Sequence, residues 1–154
     1  MALANITQKT PTPPAGVIER DSLGHPTGTL RESAMEIVER HVPPETFEAR
    51  MATMQAALSE MNRYGITSAF DAWVGSDDVA VYRQLDNNNK LTVKIRAALA
   101  YGYGDLFTLD SPEDYTRILK QRDVLSTKRF TLGAVKLFVD GVLEGETAAL
   151  LSPY

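Results

Sequence analysis

The stretch GAVKLFVDGVLEGETA, residues 133–148, carries the residues most able to do chemistry. Ala134, Val135, Leu137, Phe138 and Val139 read as a buried β-strand, yet Lys136 interrupts them. An amine inside an apolar strand costs free energy unless it is solvated or paired. On the residues alone the favoured reading is a lysine that snorkels to the strand end or pairs with Asp140. Asp140 and Gly141 close the run, the first able to start a turn or face a ligand, the second able to let backbone approach closely. Glu144 follows in the same loop and reads equally as surface or as part of a site mouth. A second stretch, TSAFDAW, places Asp71 and Trp73 near the end of another strand. Asp71 reads first as a structural carboxylate accepting loop N–H groups, and Trp73 as core or as a pocket wall. Two histidines are present, His25 beside Pro26 in a loop and His41 at the end of a short helix before Pro43-Pro44, where a cation suits the helix dipole.

The chain has 154 residues, 44% hydrophobic and 23% charged, the balance of an ordinary globular domain. A net charge of -4 with no basic stripe argues against nucleic acid as a partner. No cysteine is present, which excludes disulfides and thiolate metal sites. No apolar run approaches a membrane span, and residues 1–16 lack a signal-peptide core, so no membrane partner and a cytoplasmic location are expected.

These residues need elements to position them. Residues 1–16, with three prolines between 11 and 14, predict an irregular entry segment. Val17–Arg20 and Gly28–Arg31 flank a Gly24/Pro26 loop and predict a β-hairpin, with a short helix over 32–41. Phe47, Met51, Met54, Leu58 and Met61 recur at helical spacing, and Gly65 fits the position just past the helix end. Strands are predicted at Ile66–Trp73, Thr92–Ala100 and Ala134–Val139. Between them come a helix over Asp77–Asn88 capped by Ser76, and one opened by Ser111-Pro112-Glu113-Asp114 with Tyr115, Ile118 and Leu119 turned inward. Asp77-Asp78 reads as charge at a helix N-terminus. The glycines of Tyr101–Gly104 lack phosphate-loop spacing. Strands alternating with helices predict parallel βαβ units, hence an α/β fold. Three strands are few for a closed domain, so the chain reads as a piece of something larger.

VKLFVDGVLEGETAALLSPY resembles a signature of the amidohydrolase family 3 branch, the YtcJ-like and exoenzyme-regulator-like metal-dependent hydrolases. PPAGVIERDSLGHPTGTLRES, RYGITSAFDAW and VKIRAALAYG resemble the same family in the same order, over nearly the whole chain. The resemblance implies a partial TIM (β/α)8 barrel, with the three strands as barrel strands two to four. On this plan 17–44 is an inserted hairpin and helix, and 45–154 is a barrel segment truncated at its C-terminus. It implies a divalent metal, with zinc expected, and hydrolysis of carbon–nitrogen bonds other than peptide bonds in a small amide-type substrate. Lys136 lies where such enzymes often carry a carboxylated lysine as a metal ligand, which reverses the preference above for the full-length protein.

The family's HxH pair and later His and Asp ligands have no match here. An internal fragment is therefore expected, inactive and free of metal by itself, with no catalytic residue of its own. Asp140, Gly141, Glu144, Asp71 and Trp73 stand as substrate-loop candidates. A different class also fits, a non-catalytic regulatory or binding module like the exoenzyme regulators. Unpaired strand edges predict that the isolated chain self-associates.

Overall fold

A computed structural model describes residues 1–14, 16–101 and 111–152. The chain divides into two compact units, Met1–Pro44 together with Asp140–Tyr154, and Glu45–Val139. Thus residues 140–154 group with the entry and hairpin, where the sequence reading ran one segment from 45 to 154. The physical reason lies in their bonds. Thr147 Oγ1 donates to Glu32 at 2.7 Å, and Arg31 Nη1 donates to the Gly145 carbonyl at 3.1 Å.

In the first unit, β1 (Gly16–Arg20) pairs antiparallel with β2 (Pro26–Glu32), matching Val17 to Arg31 and Ile18 to Leu30. The Asp21 carboxylate accepts the N–H groups of Leu23 and His25 at 2.9 and 2.8 Å and so shapes the loop. Ile6, Ile18 and Ala34 form a small core. The helix expected over 32–41 is much shorter. A 3₁₀ turn at Ser33–Met35 runs into a single α-turn, α1 (Glu36–Glu39). Glu32 sits at φ +50°, outside helical geometry, and Pro43-Pro44 forbid extension beyond.

The second unit is a three-stranded parallel sheet in the order β3 (Ser68–Val74), β4 (Lys94–Tyr101), β5 (Phe130–Leu137). Helices α2 (Phe47–Arg63), α3 (Ser76–Asn87), α4 (Pro112–Lys120) and the short α5 (Arg122–Leu125) connect and flank these strands. The parallel βαβ order read from the sequence is present, as is the mixed α/β class. Gly65 takes φ +73°, while Gly65 N–H bonds to Asn62 O and Ile66 N–H to Met61 O, the pattern of a Schellman end. Ser111 accepts from Asp114 N–H at 3.1 Å and caps α4 with Pro112 behind it, as expected. Ser76 is not the cap of α3; Gly75 holds that position, its N–H donating to the Asp78 carboxylate at 3.0 Å.

One core ties these elements together. Leu58 from α2, Val79, Val81, Tyr82 and Leu85 from α3, and Ile118 from α4 cover Ile95, Ala97, Leu99, Phe130 and Leu132 of the sheet. Met51, Met54 and Met61 pack against it, while Phe47, expected on the same helical stripe, is exposed in the first turn. The opposite face of the sheet bears Ser68, Phe70, Lys94, Arg96 and Thr131, all exposed and in mutual register. Among the described residues no helix is long and apolar enough to cross a membrane. Gly102, Tyr103 and Gly104, whose glycines lack phosphate-loop spacing, lie outside the described residues.

Candidate functional site

Lys136 stands near the C-terminal end of β5, half-buried, in register with Ala100 of β4. Its face is decided by an irregularity. Ala97 pairs with Leu132 but Ala98 pairs with Ala134, so Gly133 is an extra residue in β5. A regular strand would put Leu132 and Lys136, four residues apart, on one face. The bulge reverses the alternation, so Leu132 enters the helix-covered core and Lys136 turns to the opposite face of the sheet. Gly133 also leaves room for Arg96, since a Cβ there would lie 2.6 Å from its Nε. β5 begins at Phe130, four residues before the strand expected at Ala134, because this glycine interrupts the sequence pattern.

The amine of Lys136 lies 4.8 Å from the centroid of the Phe138 ring. This is a cation–π contact. Phe138 in turn meets Trp73 with ring centroids 4.8 Å apart and planes tilted by 52°. Trp73 follows a second register irregularity, between Asp71 and Val74 of β3. Asp71 accepts from Trp73 N–H at 3.2 Å and from the Tyr82 hydroxyl at 2.8 Å. Tyr82 is buried and stacked on Phe130, centroids 5.1 Å apart at 18°. Asp71, Trp73 and Lys136 are therefore joined through Phe138, and Tyr82 ties Asp71 to the core; the sequence reading missed both residues. Phe138 was findable, two positions past Lys136 and hence on its side of an extended chain. Tyr82 had no local signal, because its partner lies on another element.

Burial, and then the bond to the Asp71 carboxylate, hold the Tyr82 phenol well above its ordinary range. The folded state thus keeps this proton at pH values where the unfolded chain, near pKa ~10, has lost it. Stability is complete below about pH 10 and falls as pH rises further, since the native state then binds more protons than the unfolded one. Tyr82→Phe is expected to flatten that alkaline decline, read from unfolding midpoints at pH 8 to 11. An equally steep decline in the variant would assign it to other groups.

The remaining candidates belong to the other unit. Asp140 accepts from Ala149 N–H at 3.2 Å, the behaviour of a turn carboxylate. Gly141 N–H donates to Thr147 O at 3.2 Å, and a Cβ on Gly141 would come 2.6 Å from that oxygen, so close backbone approach requires glycine here. Glu144 is exposed in the turn between them. His25 Nδ1 lies 3.5 Å from Asp21 on the exposed hairpin loop, and His41 is exposed beyond the end of α1. Among the described residues no group of three or more His, Cys, Asp or Glu side chains could hold a metal ion.

An amidohydrolase family model matches residues 1–154. The chain belongs to the amidohydrolase family. The resemblance read from its motifs is thereby shown. YtcJ of Bacillus subtilis (strain 168), provisionally named an amidohydrolase, is 32% identical over 98% of this chain and 27% of its own length. The exoenzymes regulatory protein AepA of Pectobacterium carotovorum subsp. carotovorum is 30% identical over 99% of this chain and 32% of its own. The N-substituted formamide deformylase of Arthrobacter pascens is 26% identical over 90% of this chain and 26% of its own. This amidohydrolase chain therefore spans about a quarter to a third of the curated relatives it matches. No solved structure gives a significant match.

Proposed function

We propose that this amidohydrolase chain is one part of a cytoplasmic metal-dependent hydrolase that cleaves carbon–nitrogen bonds other than peptide bonds in small amide-type molecules. The observation carrying the reading is Lys136, set by the Gly133 bulge on the sheet face away from the helix-covered core, near the C-terminal end of a parallel strand. That end is where parallel α/β folds place their chemistry. Three consecutive parallel strands with helices on one face support a partial (β/α)8 barrel, in which the open face would line the interior. The deformylase relative, named for an N-substituted formamide, supports an amide-type substrate.

The described residues do not by themselves make a metal centre. From this chain only Lys136, as a carbamate, would contribute to one, the other ligands coming from further sequence. A divalent ion bound there, zinc by expectation, would supply an acidified water. No catalytic step is assigned to Asp71, Trp73, Asp140, Gly141 or Glu144. Asp71 and Asp140 hold backbone N–H groups, and Gly141 admits Thr147. The open edges of β3 and β5 support pairing with a second copy when the chain stands alone.

The test is metal content per chain in the complete protein, wild type beside Lys136→Ala. Bound divalent metal that falls about tenfold or more in the variant is the expected result, the scale on which metal-site changes act. Equal metal in both makes Lys136 structural. No metal in either favours the second reading, a regulatory or binding module, which draws on the name of AepA.

A further inference from the structure

We propose that Arg96 is the receptor for a carboxylate side chain that further sequence of the complete protein lays against the sheet face away from the helix-covered core. The proposal rests on the barrel reading, in which this face turns inward. Strands β3, β4 and β5 carry three cations, Lys94, Arg96 and Lys136, and a single acid, Asp71. That acid is already engaged by Trp73 N–H and by the hydroxyl of Tyr82, a residue of the core. The register sets Lys94, Arg96 and Lys136 together on the other face, and among the described residues no ion pair reaches any of the three. Arg96 is exposed on the central strand, between Phe70 of β3 and Thr131 of β5. Its guanidinium lies against Gly133, where a Cβ would come 2.6 Å from Nε and 3.2 Å from Nη2. The bulge that turns Lys136 thus also leaves a seat for a flat cation. Phe70 beside it is 56% exposed, and an aromatic next to an arginine is the make-up of a contact surface rather than of a solvated one. A covering layer of apolar side chains would strand the guanidinium without a counter-charge, which is strongly unfavourable. A carboxylate removes that cost, and the planar fork of arginine offers it two parallel N–H donors. The place is separate from Lys136, whose register partner Ala100 lies four residues, about 13 Å, further along β4.

The test uses the complete protein. Phenylglyoxal is added in the native state, and modification of Arg96 is followed by peptide mass spectrometry beside an N-acetylated peptide of residues 92–101. Arg96 is expected to react about tenfold or more slowly in the protein, since only opened molecules expose it. Arg96→Met should lower the thermal midpoint by about 5 °C or more, because it leaves the carboxylate buried and unpaired. Arg96→Lys keeps the charge without the fork and should recover part of that loss. Arg96→Gln replaces the methionine variant if circular dichroism shows that variant unfolded. A protected Arg96 with Arg96→Met as stable as the parent overturns the pairing and leaves the barrel reading standing. An equal loss in Arg96→Lys and Arg96→Met overturns it as well, since the covering group then does not respond to charge. An Arg96 that reacts at the rate of the peptide shows the face bare, and the inward-facing reading falls together with the pairing.

Discussion

Phe130→Ala is expected to cost about 3–5 kcal/mol of the stability of the second unit. Phe130 is fully buried at the start of β5, and its ring is the surface on which Tyr82 stacks. Truncation removes the transfer free energy of a benzyl group and leaves a cavity between α3 and the sheet. Neither side can close it, since Leu85 of α3 and Ile95 of β4, buried in the same core, belong to regular elements already packed together. A domain of this size has only about 5–15 kcal/mol in total, so the variant should unfold at a much lower urea concentration with a similar slope. A loss below about 1 kcal/mol would contradict the packing described.

Asp86→Ala is expected to cost about 1.5–3 kcal/mol, the range for hydrogen bonds to a charged group. Asp86 lies near the end of α3, and its Oδ2 accepts from Thr127 Oγ1 at 2.5 Å and from Arg129 N–H at 2.8 Å. Thr127 N–H in turn donates to Phe130 O at 2.7 Å, so one carboxylate fixes the turn that delivers β5. Asp86→Asn keeps one oxygen and should recover part of the loss. Urea unfolding of the three proteins checks the ranking. An alanine variant as stable as the parent would show that the turn is held by Arg129, whose Nη1 reaches Thr92 O at 3.0 Å.

What could be read from the sequence was what local chemistry decides. Gly65 ends a helix because φ +73° suits glycine, and Ser111-Pro112 starts one because hydroxyl and ring both fit that position. The parallel strands followed from their alternation with helices. Lys136 was visible as an anomaly in an apolar run. The misses have longer-range causes. The short α1 follows from a strained Glu32 that pattern cannot show. The early start of β5 follows from the Gly133 bulge, which breaks the alternation that marks a strand. Tyr82 and Asp71 are eleven residues apart on different elements, and neither hints at the other. Residues 140–152 join a hairpin more than a hundred positions earlier through Glu32 and Thr147, a pairing no local rule reaches.

That last pairing bears on the order in which the protein assembles. The first unit is interrupted in sequence by the whole of the second. During synthesis the hairpin emerges before the second unit, and its partners at Gly145 and Thr147 emerge after it. The second unit is contiguous and holds its core within its own span, so it can fold while the hairpin still waits. Closing the first unit then means bringing together ends already shortened by a folded insert. Folding the insert first thus removes most of the loop-closure entropy that an open chain of that length would face.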